Sequence, residues 1–108
     1  MKSHIKLKIK IKCIIGLLKK ERKNKQKIKI KLTCKSQEFL DYAKVDKLVK
    51  KTYKNRKFKT IEKSQQEVSK ILKSSFPDIY YIKIKTSKKD ILKNSIPSCI
   101  FKEKFNKL

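Results

Sequence analysis

The sequence predicts an α+β fold: a small sheet of Lys/Ile-alternating strands packed against two or three helices, with a basic loop or arm. Three observations carry this. Ile5, Leu7, Ile9 and Ile11 alternate with Lys6, Lys8, Lys10 and Lys12, the period of two of a strand with one apolar and one polar face. Ile28, Ile30 and Leu32 repeat the device among Lys27, Lys29 and Lys31, and Tyr80, Ile82 and Ile84 repeat it more weakly around Lys83 and Lys85. Between the second and third strands, two segments space their apolar residues as helices do, and such interspersed elements define the α+β class.

The first strand covers residues 5–11 and could continue through Cys13 to Leu18. Lys19 to Lys27 holds no apolar residue, so it reads as a loop, an extended basic arm or the tip of a hairpin. After the second strand, Ser36 offers a helix N-cap with Glu38 and Asp41 in the first turns. Phe39, Tyr42, Val45, Val49 and Tyr53 then form one apolar stripe. The spacing Ser64-Gln65-Gln66-Glu67 is that of a capping box, followed by Val68, Ile71 and Leu72 at helical intervals until Phe76-Pro77 stops the run. Residues 78–86 read as the third strand, of which either Tyr80 or Tyr81 faces the core. Ser87 to Asp90 is a further cap, and Ile91 to Asn94 a helical turn closed by Pro97. The segment 98–108, with Ile100, Phe101 and Phe105, docks on the body.

A chain of 108 residues is one domain's worth, spanning 1–108. Lys and Arg number 33 against 9 Asp and Glu, a net charge of +24. Such a surplus raises the energy of a compact state unless an anionic partner neutralises it. An AT-rich genome inflates lysine and isoleucine, which explains why only Arg22 and Arg56 are arginine. The same bias would raise Asn, Asp and Glu, yet these stay scarce, so the imbalance itself reads as selected.

Lysines at alternate positions of one strand lie about 6.7 Å apart, inside the Debye length of about 8 Å. At water's dielectric each adjacent pair costs on the order of 0.6 kcal/mol, and a phosphate backbone laid over the face reverses the sign. The expected RNA contacts are Lys6, Lys8, Lys10 and Lys12 on the first strand and Lys27, Lys29 and Lys31 on the second. Lys19, Lys20, Arg22, Lys23 and Lys25 in the arm join them, with Lys50, Lys51, Lys54, Arg56 and Lys57 at the end of the first long helix. Tyr53 could stack on an unpaired base, or simply close the apolar stripe of its helix. A solvated strand face protected by lysine is the plainer reading of one strand, but not of two strands, an arm and a helix end together.

Catalysis has little support. His4 has no carboxylate near it in sequence, Asp41 and Asp46 sit among lysines as ordinary surface acids, and no Gly-rich phosphate loop or nucleophile elbow occurs. The chain is therefore expected not to be an enzyme and to take neither a small-molecule substrate nor a cofactor. Cys13, Cys34 and Cys99 are an odd, widely spaced set with a single histidine to assist. They fit neither a disulfide framework nor a zinc site, so no metal is expected and the cysteines read as small buried hydrophobes in a reducing compartment. No apolar run approaches the ~18 residues of a membrane span. A membrane-surface role lacks its amphipathic helix, because the densest lysine runs are on strands and a loop.

In composition, the whole chain resembles ribosomal proteins of organelles with AT-rich genomes. Phe39-Leu40-Asp41-Tyr42, followed by Val45, Leu48 and Val49, with Gln65-Gln66 opening a later helix, is similar to part of the small-subunit ribosomal protein eighteen family. That family's paired-arginine segment is missing, and no residue role is carried over from it. The resemblance implies a structural constituent of a ribosome, with rRNA and neighbouring ribosomal proteins as partners. The alternatives are a free, non-specific nucleic-acid-binding factor and a structural subunit of a large complex that meets acidic proteins. The N-terminus lacks acids until Glu21 but has a strand's alternation rather than a presequence's, so it reads as mature protein. Synthesis in the compartment of use is then expected, with the mitochondrial matrix or a plastid favoured over the cytosol.

Overall fold

A computed structural model describes residues 2–89 and 91–105. Its elements run β1 (Ser3–Cys13), α1 (Lys19–Lys23), β2 (Gln26–Ser36), α2 (Tyr42–Asn55), α3 (Ile61–Ser75), β3 (Ile79–Lys88) and β4 (Ser98–Lys104). The four strands form one antiparallel sheet in the order β1-β2-β3-β4. The α+β class and the three lysine-alternating strands are thus as the sequence predicts.

Register explains how the alternation works. Ile9 stands opposite Ile30 and Ile11 opposite Ile28, while Leu32 faces Ile84 and Cys34 faces Ile82. One face of the sheet is therefore continuous hydrocarbon, and α2 and α3 cover it: α2 lies on β1, and α3 on β3 and β4. Ile30, Ile82, Ile84, Leu72 and Val45 are fully buried there, each worth roughly 1.5–3 kcal/mol relative to exposure. On the opposite face, Lys8 stands beside Lys31 and Lys31 beside Lys85, with Lys10 beside Lys29. The register thus lines like charges up across strands as well as along them.

Several expected elements take a different form. Strand β1 stops at Cys13, and the basic segment 19–27 is neither an extended arm nor a hairpin tip: it folds into the single turn of α1 and the start of β2. Its one acid, Glu21, is buried and pulls the turn onto the body. Ser36 ends β2 rather than capping a helix; Asp41 caps α2, its Oδ1 accepting from the Ala43 N–H at 2.9 Å. Phe39 and Tyr42 consequently lie outside the helical stripe and are exposed, whereas Val45, Val49 and Tyr53 are buried.

Helix α3 begins three residues before the expected capping box, at Ile61, where Thr60 accepts from the Lys63 N–H at 3.1 Å. Ser64 and Gln65 are therefore interior positions that turn inward, not a cap. Residues 91–94 make no helical turn but a reversal bridged between Leu92 and Ser95, and the proposed cap residue Asp90 lies outside the described residues. The docking segment is a strand, β4, as far as Lys104; Asn106 to Leu108 lie outside the described residues. Tyr80 and Tyr81 are both half-buried, and Lys35 Nζ sits 5.1 Å from the centre of the Tyr81 ring.

Candidate active site

The chain's single glycine opens the site. Gly16, at φ 137°, follows β1 in a backbone region that side chains rarely adopt, and a Cβ there would collide with the Glu21 carboxylate. Its N–H donates to the Phe58 carbonyl at 3.0 Å. Arg22 braces the same turn, its guanidinium donating to the carbonyls of Gly16 (3.2 Å), Phe58 (3.0 Å) and Lys57 (2.9 Å). From the start of β2, Gln26 donates to the Glu21 carbonyl at 2.8 Å and accepts from the Ile15 N–H at 3.3 Å. The turn and α1 are thereby bound to both the hairpin and the loop after α2.

This scaffold delivers Glu21 to Lys88, the last residue of β3. The two form an ion pair and hydrogen bond through Glu21 Oε2 and Lys88 Nζ, with residue exposures of only 5% and 7%. The Leu18 N–H donates to the other carboxylate oxygen at 3.2 Å. Burial alone would raise the Glu21 pKa. The hydrogen bond from Lys88, the Leu18 and Leu17 N–H groups and the Lys88 charge outweigh it, holding the carboxyl below its usual range. The site therefore presents a fixed carboxylate locked to an ammonium, and Glu21, with Gln26 and Lys27, lines a cavity of about 270 Å³ beside the pair.

Polar side chains continue from Lys88 along β3. Thr86, two residues back on the same face, is buried beside the Tyr53 hydroxyl, which shares hydrogen bonds with Ser64 Oγ (2.8 Å) and Thr86 Oγ1 (3.5 Å). Gln65 Nε2 donates to the carbonyls of Ile84 (3.2 Å) and Cys99 (2.8 Å). Cys99 stands opposite Thr86 in β4. Its thiol is hydrogen-bonded to Glu62 in the first turn of α3, and burial, with the Glu62 charge, pushes its pKa up. Glu62 itself is exposed, a second carboxylate beside the strand end that carries Lys88.

Tyr53 is fully buried, its ring meeting Phe58 edge-on at 5.6 Å, so it closes the helical stripe and has no face for a base. Arg22 is committed to backbone carbonyls, and Arg56 pairs with Glu67 at 3.3 Å. Lys6, Lys8 and Lys31 stand on the open sheet face, Lys19, Lys20 and Lys23 on α1, and Lys51 and Lys57 are exposed near the end of α2. Lys10, Lys12, Lys25, Lys27, Lys29, Lys50 and Lys54 instead gather around a single cavity. Cys13 and Cys34 are buried as expected, their thiols pushed up to about 11 and about 12 by burial.

A buried acid–base pair beside a cavity is an arrangement suited to proton chemistry on a small molecule. The chain belongs to the dihydroneopterin aldolase (FolB) family, whose model matches residues 5–99. Among solved structures, it is similar to a protein of Vibrio cholerae described as a dihydroneopterin aldolase (FolB). The two share 20% identity with a TM-score of 0.85, over 97% of this chain and 98% of that one. An Escherichia coli dihydroneopterin aldolase in complex with neopterin matches at 18% identity and a TM-score of 0.81, covering 95% and 98% of the two chains. A Burkholderia thailendensis dihydroneopterin aldolase bound to guanine matches at 10% identity and a TM-score of 0.68, covering 98% and 92%. No curated protein matched.

The family overturns the ribosomal assignment. The expectation of a non-enzymatic rRNA-binding constituent, located on an organellar ribosome and without a small-molecule substrate, goes with it. The alternative of a free nucleic-acid-binding factor or structural subunit falls with the same finding. The physical reason is that lysine on an open strand face lowers no packing quality, so that face tolerates charge without needing a polyanion. Neither residue of the buried pair is among the sites that the sequence predicts. Glu21 is the sole acid in the first 37 residues, five positions after the sole glycine, and a lone acid in a cationic run was the available signal. Lys88 had none, being one lysine among many.

Proposed function

We propose that this chain is an aldolase acting on dihydroneopterin, cleaving a carbon–carbon bond in the hydroxylated side chain of that pterin. The buried Glu21–Lys88 pair carries the reading, supported by membership of the family. In an aldol cleavage a hydroxyl loses its proton and the carbon–carbon bond breaks. The electron pair moves into the neighbouring C=N bond of the ring, and a proton then returns to the carbon left behind. An ammonium fixed beside that bond stabilises the developing charge and supplies a mobile proton. Glu21, held ionised, keeps the ammonium in place and excludes other rotamers.

Ring recognition falls to Glu62. Neopterin and guanine share an amino-pyrimidinone edge with adjacent N–H donors, and an exposed carboxylate is its natural acceptor. The test is aldehyde release from dihydroneopterin by the purified chain. Turnover should fall at least about 100-fold in Lys88→Ala while Glu62→Gln raises KM. Absence of turnover by the wild-type chain, or equal turnover by Lys88→Ala, would refute the reading.

A further inference from the structure

Beside the acid–base pair lies a second, larger cavity of about 630 Å³, within the range of sites that enclose small molecules. Eight of its ten lining residues are lysines and none of the described ones is an acid. Lys10 and Lys12 come from β1, Lys27 and Lys29 from β2, and Lys50 and Lys54 from α2. Antiparallel register sets Lys10 directly opposite Lys29 and Lys12 directly opposite Lys27, so two cross-strand pairs of like charge sit side by side in one wall. The neighbouring charge of Lys31, then burial, then the charges of Lys10, Lys8 and Lys89 lower the Lys29 pKa. Among the described residues, only Lys50 of the eight pairs with an acid, Asp46 at 2.9 Å.

Lys25, Lys27 and Lys89 line both this cavity and the smaller one that holds Glu21. The two spaces are therefore adjacent and share three lysine side chains. A polyhydroxylated side chain seated at Lys88 would point its far end across that wall. Phosphate suits what it meets there: compact ammonium groups without the planar fork of arginine, several within reach of one oxyanion.

We propose that the substrate carries phosphate on its hydroxylated side chain, the ring held by Glu62, the reacting bond beside Lys88 and the phosphate in the lysine cavity. This inference rests on the aldolase reading and names the substrate form that the site prefers. A phosphate ester adds nearly two negative charges and several strong acceptors, and the lysine cavity adjoining the one that Glu21 lines is built to receive them.

The experiment compares kcat/KM for dihydroneopterin and for its monophosphate and triphosphate esters, using the intact chain. A preference of at least about tenfold for a phosphorylated form is expected, reduced to near parity in the triple variant K10E/K12E/K54E. Because these reversals relieve repulsion, the variant should keep its fold, checked by circular dichroism. The double variant K83E/K102E, altered elsewhere on the sheet, should retain the preference. Parity or a preference for the unphosphorylated compound in the wild-type chain overturns this inference and leaves the aldolase reading standing. So does an equal loss in both variants, which would make the effect one of net charge. Cleavage of none of the three compounds defeats both.

Discussion

Glu21 and Lys88 stand 67 positions apart in the chain and meet as a buried ion pair, one in the middle of the single helical turn α1 and the other at the end of β3. Neither could be held there alone. Removing one partner of such a pair leaves a buried charge unmatched, a loss of about 3–5 kcal/mol. The hydrogen bonds around Gly16, Arg22 and Gln26 exist to bring the carboxylate to that place.

The pair sets an acid limit on stability. Because the Glu21 carboxyl is held below its usual range, its contribution is fully present above the unfolded value of about 4.3 and is lost as pH falls through the folded one. Thermal unfolding followed from pH 7 to pH 3 should show the difference between the wild-type chain and Glu21→Gln shrinking with acidification. A constant difference would mean that the pair does not titrate with folding.

Gly16→Ala should be costly despite the smallness of the change. The added methyl meets the Glu21 carboxylate and the backbone angle is one that alanine avoids, so a loss of about 1–3 kcal/mol is expected. Turnover should fall further than stability, since displacing Glu21 releases Lys88. Denaturant titration alongside the aldolase assay measures both.

Tyr53→Phe removes a hydroxyl shared between Ser64 and Thr86 in the core. The expected cost is about 1 kcal/mol, a fall in Tm of roughly 4–8 °C for a chain of this size. Calorimetry would show it.

The cysteines provide a probe of opening. With Cys13 and Cys34 pushed up to about 11 and about 12 by burial, neither has appreciable thiolate at pH 8 in the folded chain. Iodoacetamide should label them only at the rate of unfolding, read by mass spectrometry.

Salt should stabilise. Adjacent lysines such as Lys8 and Lys31, or Lys31 and Lys85, repel across the open face, and raising ionic strength from 0.01 to 0.15 M shortens the Debye length from about 30 to about 8 Å. Tm should rise over that interval in a chain of net charge +24.

How much of this could be read from the sequence differs by element. The alternation of Ile5 to Ile11 and of Ile28 to Leu32 specifies strands because a period of two has only one backbone solution with a buried face. The positions of Val45, Val49 and Tyr53 likewise specify α2. The site was hidden because it depends on chain reversal at Gly16 and on long-range register, which local periodicity does not encode. Lys88 differs from Lys85 in which face of β3 it occupies, a distinction set by its pairing opposite Ile28 of β2. The abundance of lysine on the open face masks the one buried lysine, Lys88, on which the proposed chemistry rests.

The two-residue alphabet of β1 and β2 has a cost in information. Sliding one strand past the other by two positions would still place isoleucine inward and lysine outward, so hydrophobic burial alone scarcely distinguishes the correct frame from its neighbours. The discrimination comes from residues at the strand ends that occur once. Gln26 stands opposite Cys13 and bonds Ile15, Ser3 accepts from the Leu40 N–H at 2.9 Å, and a bulge at Lys35 and Ser36 locks β2 against β3. A chain drifting towards two residue types can therefore keep a unique fold so long as a few unrepeated side chains mark where each strand begins and ends.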